Sequence, residues 1–155
     1  MTPNPITVKY LKERIEAAVT AHPWFNSSVV GEAYDFDENV PSFPTLWIVP
    51  NQLSPQPQDR ITEISFYISA IDRVDDTTAE VDVLSACGTA LHDIWNTLMA
   101  SLRTGGDNQG EMWRLAKMEG KDKIIDSLSD HVVNGWMVEL FFHIPFEQGT
   151  CNIPS

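Results

Sequence analysis

Residues 135–146, GWMVELFFHIPF, alternate so regularly that they leave the backbone one arrangement. A β-strand sends successive side chains to opposite faces, so Trp136, Val138, Leu140, Phe142, Ile144 and Phe146 share one side. Met137, Glu139, Phe141 and His143 share the other. A strand with one such face needs a cover, which sets what the rest of the chain has to supply.

A second alternating run, ITEISFYISAID, puts Ile64, Phe66, Ile68 and Ala70 on one face, with Glu63, Ser65, Tyr67 and Ser69 on the other. That pattern predicts a half-buried strand in an antiparallel sheet with one solvated face. The cover comes from two amphipathic segments. In ITVKYLKERIEAAVTAHPWF, Val8, Leu11, Ile15, Ala18 and Val19 recur at helical spacing, Thr7 is the N-cap, and Pro23 ends the helix at His22. In DDTTAEVDVLSACGTALHDIWNTLMASLRTGG, Val81, Leu84, Cys87, Leu91, Ile94 and Leu98 form the expected stripe. Thr77 and Glu80 stand at capping-box spacing and Gly105 is the expected terminator. Gly88, inside that helix, suggests close packing against the sheet.

SSVV reads as a short strand running into an acidic turn, and PTLWIVPN as a compact strand between prolines. QLSPQPQDR reads as an exposed polar loop. EMWRLAKMEG is either a strand with Trp113, Leu115 and Lys117 on one face or a helical turn, and KDKIIDSLSDHVVNG reads as a connector with a short ordered piece. The expected architecture is one α+β domain over 1–155, a mainly antiparallel sheet with two helices packed on one face, and an extended C-terminal tail over 147–155.

The chain carries 22 acids against 10 bases, a formal net charge of −12. Duplex binding depends on neutralising phosphates, so this balance argues against affinity for DNA or anionic membranes. No run approaches the ~20 apolar residues of a spanning helix. Two cysteines, Cys87 and Cys151, are too few for a disulfide scaffold, and MTPNPITVKY lacks the basic and apolar regions of a secretory signal. The expected setting is a reducing cytoplasm.

No catalytic or metal motif emerges, and no cofactor is expected. His22, His92, His131 and His143 stand beside no nucleophile motif. His92 and Asp93 are neighbours on a helix and point about 100° apart. His143 and Glu139 share a strand face but lie ~13 Å apart, too far to hold one metal directly. RTGGDNQGEMWR lacks the Lys-Ser/Thr ending of a phosphate loop, and GEAYDFDENV lacks the ligand series of a calcium loop. An enzyme is therefore not expected. Surplus apolar surface is: Trp24, Phe25, Phe43, Trp47 and Trp113 lie near element ends, and Met137 and Phe141 sit beside Glu139. Such residues either cap the open sheet face or meet a partner.

An N-terminal helix ending near an aromatic, the strand ISFYISAIDRV running directly into a long capped helix, and a late NGWMVELFFHIPF strand with a CNIP tail together resemble the small neck and tail-completion proteins of tailed bacteriophages. The likeness is greatest to the tail-terminator proteins, from about Val8 to Pro154. It implies an α+β sandwich that assembles as a homo-oligomeric ring at the head-proximal end of the tail. Such a ring stops tail-tube polymerisation, joins the tube to the head connector and surrounds the channel that the genome crosses. The implied location is the virion, assembled in the host cytoplasm, with DNA only in passage and no membrane. Trp47, Gln52, Leu53, Gln56, Met137, Phe141, Ile153 and Pro154 are the candidate contacts with neighbours, within extended segments such as Pro50–Arg60 and the tail. Asp35, Asp37, Glu38, Asp75 and Asp76, acids of turns, are the candidate lining of a lumen. The alternatives are another neck ring component, such as a head-completion or tail-adaptor protein, and a small non-viral ligand- or protein-binding α+β domain.

Overall fold

A computed structural model describes residues 7–31, 42–74, 80–103, 114–128 and 131–145. In chain order these form α1 (Val8–Ala21), β1 (Ser27–Val30), β2 (Thr45–Gln56), a short 3-10 turn (Pro57–Asp59), β3 (Ile61–Val74), α2 (Glu80–Arg103), β4 (Arg114–Leu128) and β5 (His131–Pro145). The strands make one 5-stranded sheet in the order β1-β2-β3-β5-β4. Only β1 runs parallel to its neighbour; the other three pairings are antiparallel. The fold is α+β, with both helices packed on the same sheet face.

The first helix is built as its sequence dictates. The Thr7 hydroxyl accepts from the Tyr10 N–H at 3.1 Å, and His22 leaves the helix at φ −86°, ψ 126° ahead of Pro23. Leu11, Ile15, Ala18 and Val19 are buried against the sheet residues Leu46, Ile48, Ile64, Phe66, Ile68, Val138, Leu140, Phe142 and Ile144. The alternation of β3 and β5 survives through Ile144: they pair from Ile61–Pro145 to Val74–Val132, and Phe66 meets Phe142 edge to face at 5.8 Å between centroids, while Phe146 lies outside the described residues.

The second helix turns its stripe slightly from the expected one. Val83, Cys87, Ala90, Leu91, Ile94 and Leu98 are buried, whereas Val81 is 71% exposed. Val81 lies two residues, and so about 200° of helical rotation, from the position that Val83 fills. Leu84 is half-buried, and its carbonyl accepts from Trp136 Nε1 at 2.9 Å. Gly88 is not forced by crowding: an added Cβ would stand 3.8 Å from the Trp136 ring, an ordinary contact. The tight glycine is Gly135, where a Cβ would fall 2.0 Å from the Ala70 carbonyl oxygen. Thr77, Gly105 and Trp113 lie outside the described residues.

Two segments differ from their sequence reading. QLSPQPQDR is not a loop through most of its length, because β2 continues to Gln56, opposite Ile61. A bulge between Pro50 and Gln52 shifts the register there. Pro50 faces Phe66 and Pro55 faces Thr62, so the bulge brings both prolines to the same phase of the ladder. There their missing N–H groups cost no β2–β3 hydrogen bond, and β1 pairs no farther than Ile48. KDKIIDSLSDHVVNG, likewise, is mostly sheet: β4 runs to Leu128 and β5 starts at His131. Shifts between Leu115 and Lys117 and between Gly120 and Lys123 interrupt its alternation. The first of them sends Lys117 to the face opposite Leu115, so the two do not share a side.

Candidate functional site

The sheet face away from the helices is polar and closely paired, not solvated in the simple sense. Ser65 and Ser69 on β3 are each 2% exposed, and Glu139 on β5 is 5% exposed. Phe141, on the same face, is 7% exposed. Because β3 and β5 are adjacent, Ser65 stands opposite Phe141 and Tyr67 opposite Glu139. The β2 bulge then aims Asn51 inward from the other side. Its amide donates to Glu139 Oε2 at 2.7 Å and to Ser65 Oγ at 3.3 Å.

From β4, Lys121 reaches Glu139 at 3.2 Å and Glu119 at 3.5 Å, and Lys117 reaches Glu119 at 3.1 Å. Lys117 also lies 4.5 Å above the Phe141 ring, which explains why that ring is covered. Burial tends to raise the Glu139 carboxyl, but hydrogen bonds from Ser65, Asn51 and Lys121 and the Lys121 charge outweigh it and hold the group below its ordinary value. Lys121 moves the opposite way, above its ordinary value, chiefly through the hydrogen bond to Glu139. Through these contacts Glu139 joins β5 to β2, β3 and β4.

Both histidine pairings are equally committed. Arg114 can only donate, so its contact of 3.2 Å with His143 Nδ1 puts the ring proton on Nε2, which donates to Glu63 at 2.9 Å. The Trp24 N–H donates to His22 Nδ1 at 3.1 Å, so His22 Nε2 donates to Asp93 at 2.8 Å. The partner of Asp93 is therefore His22, not its neighbour His92. Neither ring keeps a free nitrogen to act as a base, and among the described residues no serine or cysteine bonds to either. Cys87 is fully buried, and burial together with the Asp72 charge pushes its thiol up to about 12. Among the described residues no three His, Cys, Asp or Glu side chains stand together as metal ligands. No described helix is long and apolar enough to cross a membrane.

On the other face α2 covers β3 and β5 but not all of β4. Two adjoining hollows of about 270 and 310 Å³ share His92 and Met118, with Trp95, Gly88 and Trp136 also in their walls. They are open, with His92, Asn96 and Lys121 as the polar groups in their walls.

The candidate contact residues are dispersed. Gln52 and Leu53 are exposed beside a hollow of about 180 Å³ at the β2 bulge, and Gln56 is half-buried at the hairpin end. Trp47 is half-buried, with Nε1 donating to the Gly31 carbonyl at 2.6 Å. Met137 borders the α2–β4 hollow. Phe141 is no free contact, since it lies under Lys117. Ile153 and Pro154 lie outside the described residues, as do Asp35, Asp37, Glu38, Asp75 and Asp76. Of the surplus aromatics, Phe25 is core, and Trp24 packs on it edge to face at 4.9 Å. Sequence reasoning missed Asn51 and Lys121, because nothing local signals a partnership that depends on two bulges and on strand order. Comparison with protein-family models and with curated proteins finds no match.

Proposed function

We propose that the chain is a structural subunit of a phage neck or tail ring, of the tail-terminator type. The observation that carries this reading is where its two most telling stretches lie. ISFYISAIDRV is most of β3, NGWMVELFFHIPF is nearly all of β5 up to Pro145, and the two pair residue for residue at the sheet centre. The helix that follows β3 packs back over both strands. The parts that resemble a terminator subunit thus form one structural unit.

Charge supports the reading from another side. All 10 bases lie within the described segments, whereas the chain outside them carries acids, among them Asp35, Asp37, Glu38, Asp75 and Asp76, and no base. A ring whose connections are acidic repels a duplex and lets it slide. In this reading the subunit meets copies of itself, the tail tube and the head connector, and holds no cofactor. The direct test is tube growth: tail-tube protein polymerised with the chain present should give tubes capped at one end and bounded in length. Tubes that grow as freely as without it would reject the terminator role.

A second reading, a small ligand- or protein-binding domain, is favoured by the hollow between α2 and β4. It predicts a chain that stays small in solution and responds to an apolar ligand by a change in Trp95 or Trp136 fluorescence.

A further inference from the structure

A strip of the helix-bearing sheet face stays open between α2 and β4, and two glycines border it. Gly88 on the helix and Gly120 on the strand both line the hollow of about 310 Å³ beside Trp136, which is 37% exposed. A Cβ at Gly120 would meet nothing within 4 Å, and one at Gly88 only the Trp136 ring at 3.8 Å. The adjoining hollow of about 270 Å³ carries the strip on past Met118, with His92 and Asn96 exposed on its α2 wall. A slot edged by glycines admits another backbone at close range, and the imidazole and amide on its rim can bond peptide groups.

The chain itself supplies a backbone at the end of this strip. The first described pairing of β4 is Arg114 with His143, so among the described residues β5 outruns β4 by Ile144 and Pro145. Ten more residues follow, FEQGTCNIPS. Met118 pairs with Leu140, five residues back from Pro145, which is about 17 Å along the strand. Gly120 pairs with Val138, about 23 Å back. Ten extended residues reach at most about 36 Å. Spending about four of them on a reversal of direction leaves about six, or about 20 Å. That length carries Ile153 and Pro154 alongside Met118.

We propose that residues 146–155 turn back along the strip between α2 and β4, with Ile153 and Pro154 in the hollow beside Met118 and Trp95. The polar residues Glu147, Gln148, Gly149 and Thr150 then span the bend, and the apolar pair fills the slot. Pro154 has no N–H and so needs no strand partner there. A segment tethered this closely acts at a roughly millimolar effective concentration, which favours it over a separate chain of equal intrinsic affinity. The docking is independent of the ring reading, and it occupies the hollow on which the ligand-binding reading depends.

Cys151 supplies the probe, because Cys87 is fully buried. In the full-length chain, Asn96→Cys places a second accessible thiol on the wall of the strip. A short bis-maleimide should join the two thiols within one chain, read as a fast-migrating monomer on a denaturing gel and located by peptide mass spectrometry. Adding Ile153→Asp should slow that link about tenfold, since a docked tail loses its apolar anchor whereas an undocked tail keeps the same tether. Circular dichroism verifies that both variants fold. A link that forms equally fast with Ile153→Asp, or that does not form, overturns the docking. Links formed only between chains also overturn it, and assign the strip to the tail of another copy.

Discussion

The Asn51 amide, set on the bulge of β2, reaches across β3 to the Glu139 carboxylate on β5 at 2.7 Å. Three strands and, through Lys121, a fourth are thereby tied at one buried acid. Glu139 is held below its ordinary value of 4.5 in the fold, so its contribution to stability is complete above that value and is lost as pH falls through the folded value. Glu139→Gln should be less stable than the wild type by about 1–3 kcal/mol near neutral pH, since Lys121 and Asn51 lose a charged partner. The gap should narrow as pH falls below 4.5. Urea titrations of both chains across that range give the comparison, and a constant gap would remove the carboxylate from the explanation.

Two glycines should respond in opposite directions. At Gly135 a methyl group would lie 2.0 Å from the Ala70 oxygen and 2.7 Å from Ile71 Cγ2, so Gly135→Ala should cost about 3 kcal/mol or more, or prevent folding. Gly88→Ala should stabilise by about 0.5–1 kcal/mol, because the helix gains propensity and the Trp136 ring leaves room. Thermal unfolding of the two variants decides it. A stable Gly135→Ala protein would mean that β3 and β5 do not approach as described.

The Cys87 thiol, fully buried and raised to about 12, carries no thiolate at neutral pH. In a Cys151→Ser background, thiol reagents should label the native protein only at the rate of unfolding, with complete labelling in denaturant. Rapid labelling of the folded chain would show that α2 opens locally over Asn134, whose carbonyl is the nearest acceptor of the thiol.

The His22–Asp93 contact, at 2.8 Å, joins the end of α1 to the middle of α2. Replacing either residue by Ala should cost about 1 kcal/mol, and the double variant less than the sum. A double-mutant cycle by urea denaturation measures the difference, and strict additivity would show that the contact contributes nothing.

The sequence made the helices and the two central strands legible because each keeps one unbroken period. Leu11 to Val19 and Ile64 to Ala70 are buried as their spacing demands. SSVV and PTLWIVPN were legible as strands, but the far parts of β2 and β4 were not, for a physical reason: both strands are bulged, and each bulge reverses the alternation that identifies a strand. Pro50 and Pro55 look like loop residues until β2 is known to pair with no described strand on that side beyond Ile48, which only strand order supplies. Val81 was misplaced because a helix stripe has two edges, and only tertiary contacts choose between Val81 and Val83. The paired polar face was hidden further still. Glu139 could be placed on a face from the sequence, but Asn51 and Lys121 meet it only across strand order and bulges.

The most direct measurement is native mass spectrometry of the purified chain, alone and mixed with candidate tail-tube and connector proteins. A subunit of a terminator-type ring should give a closed oligomer of single stoichiometry, alone or once its neighbour is added. Monomer or dimer in every mixture would contradict the ring and leave a small binding domain in its place.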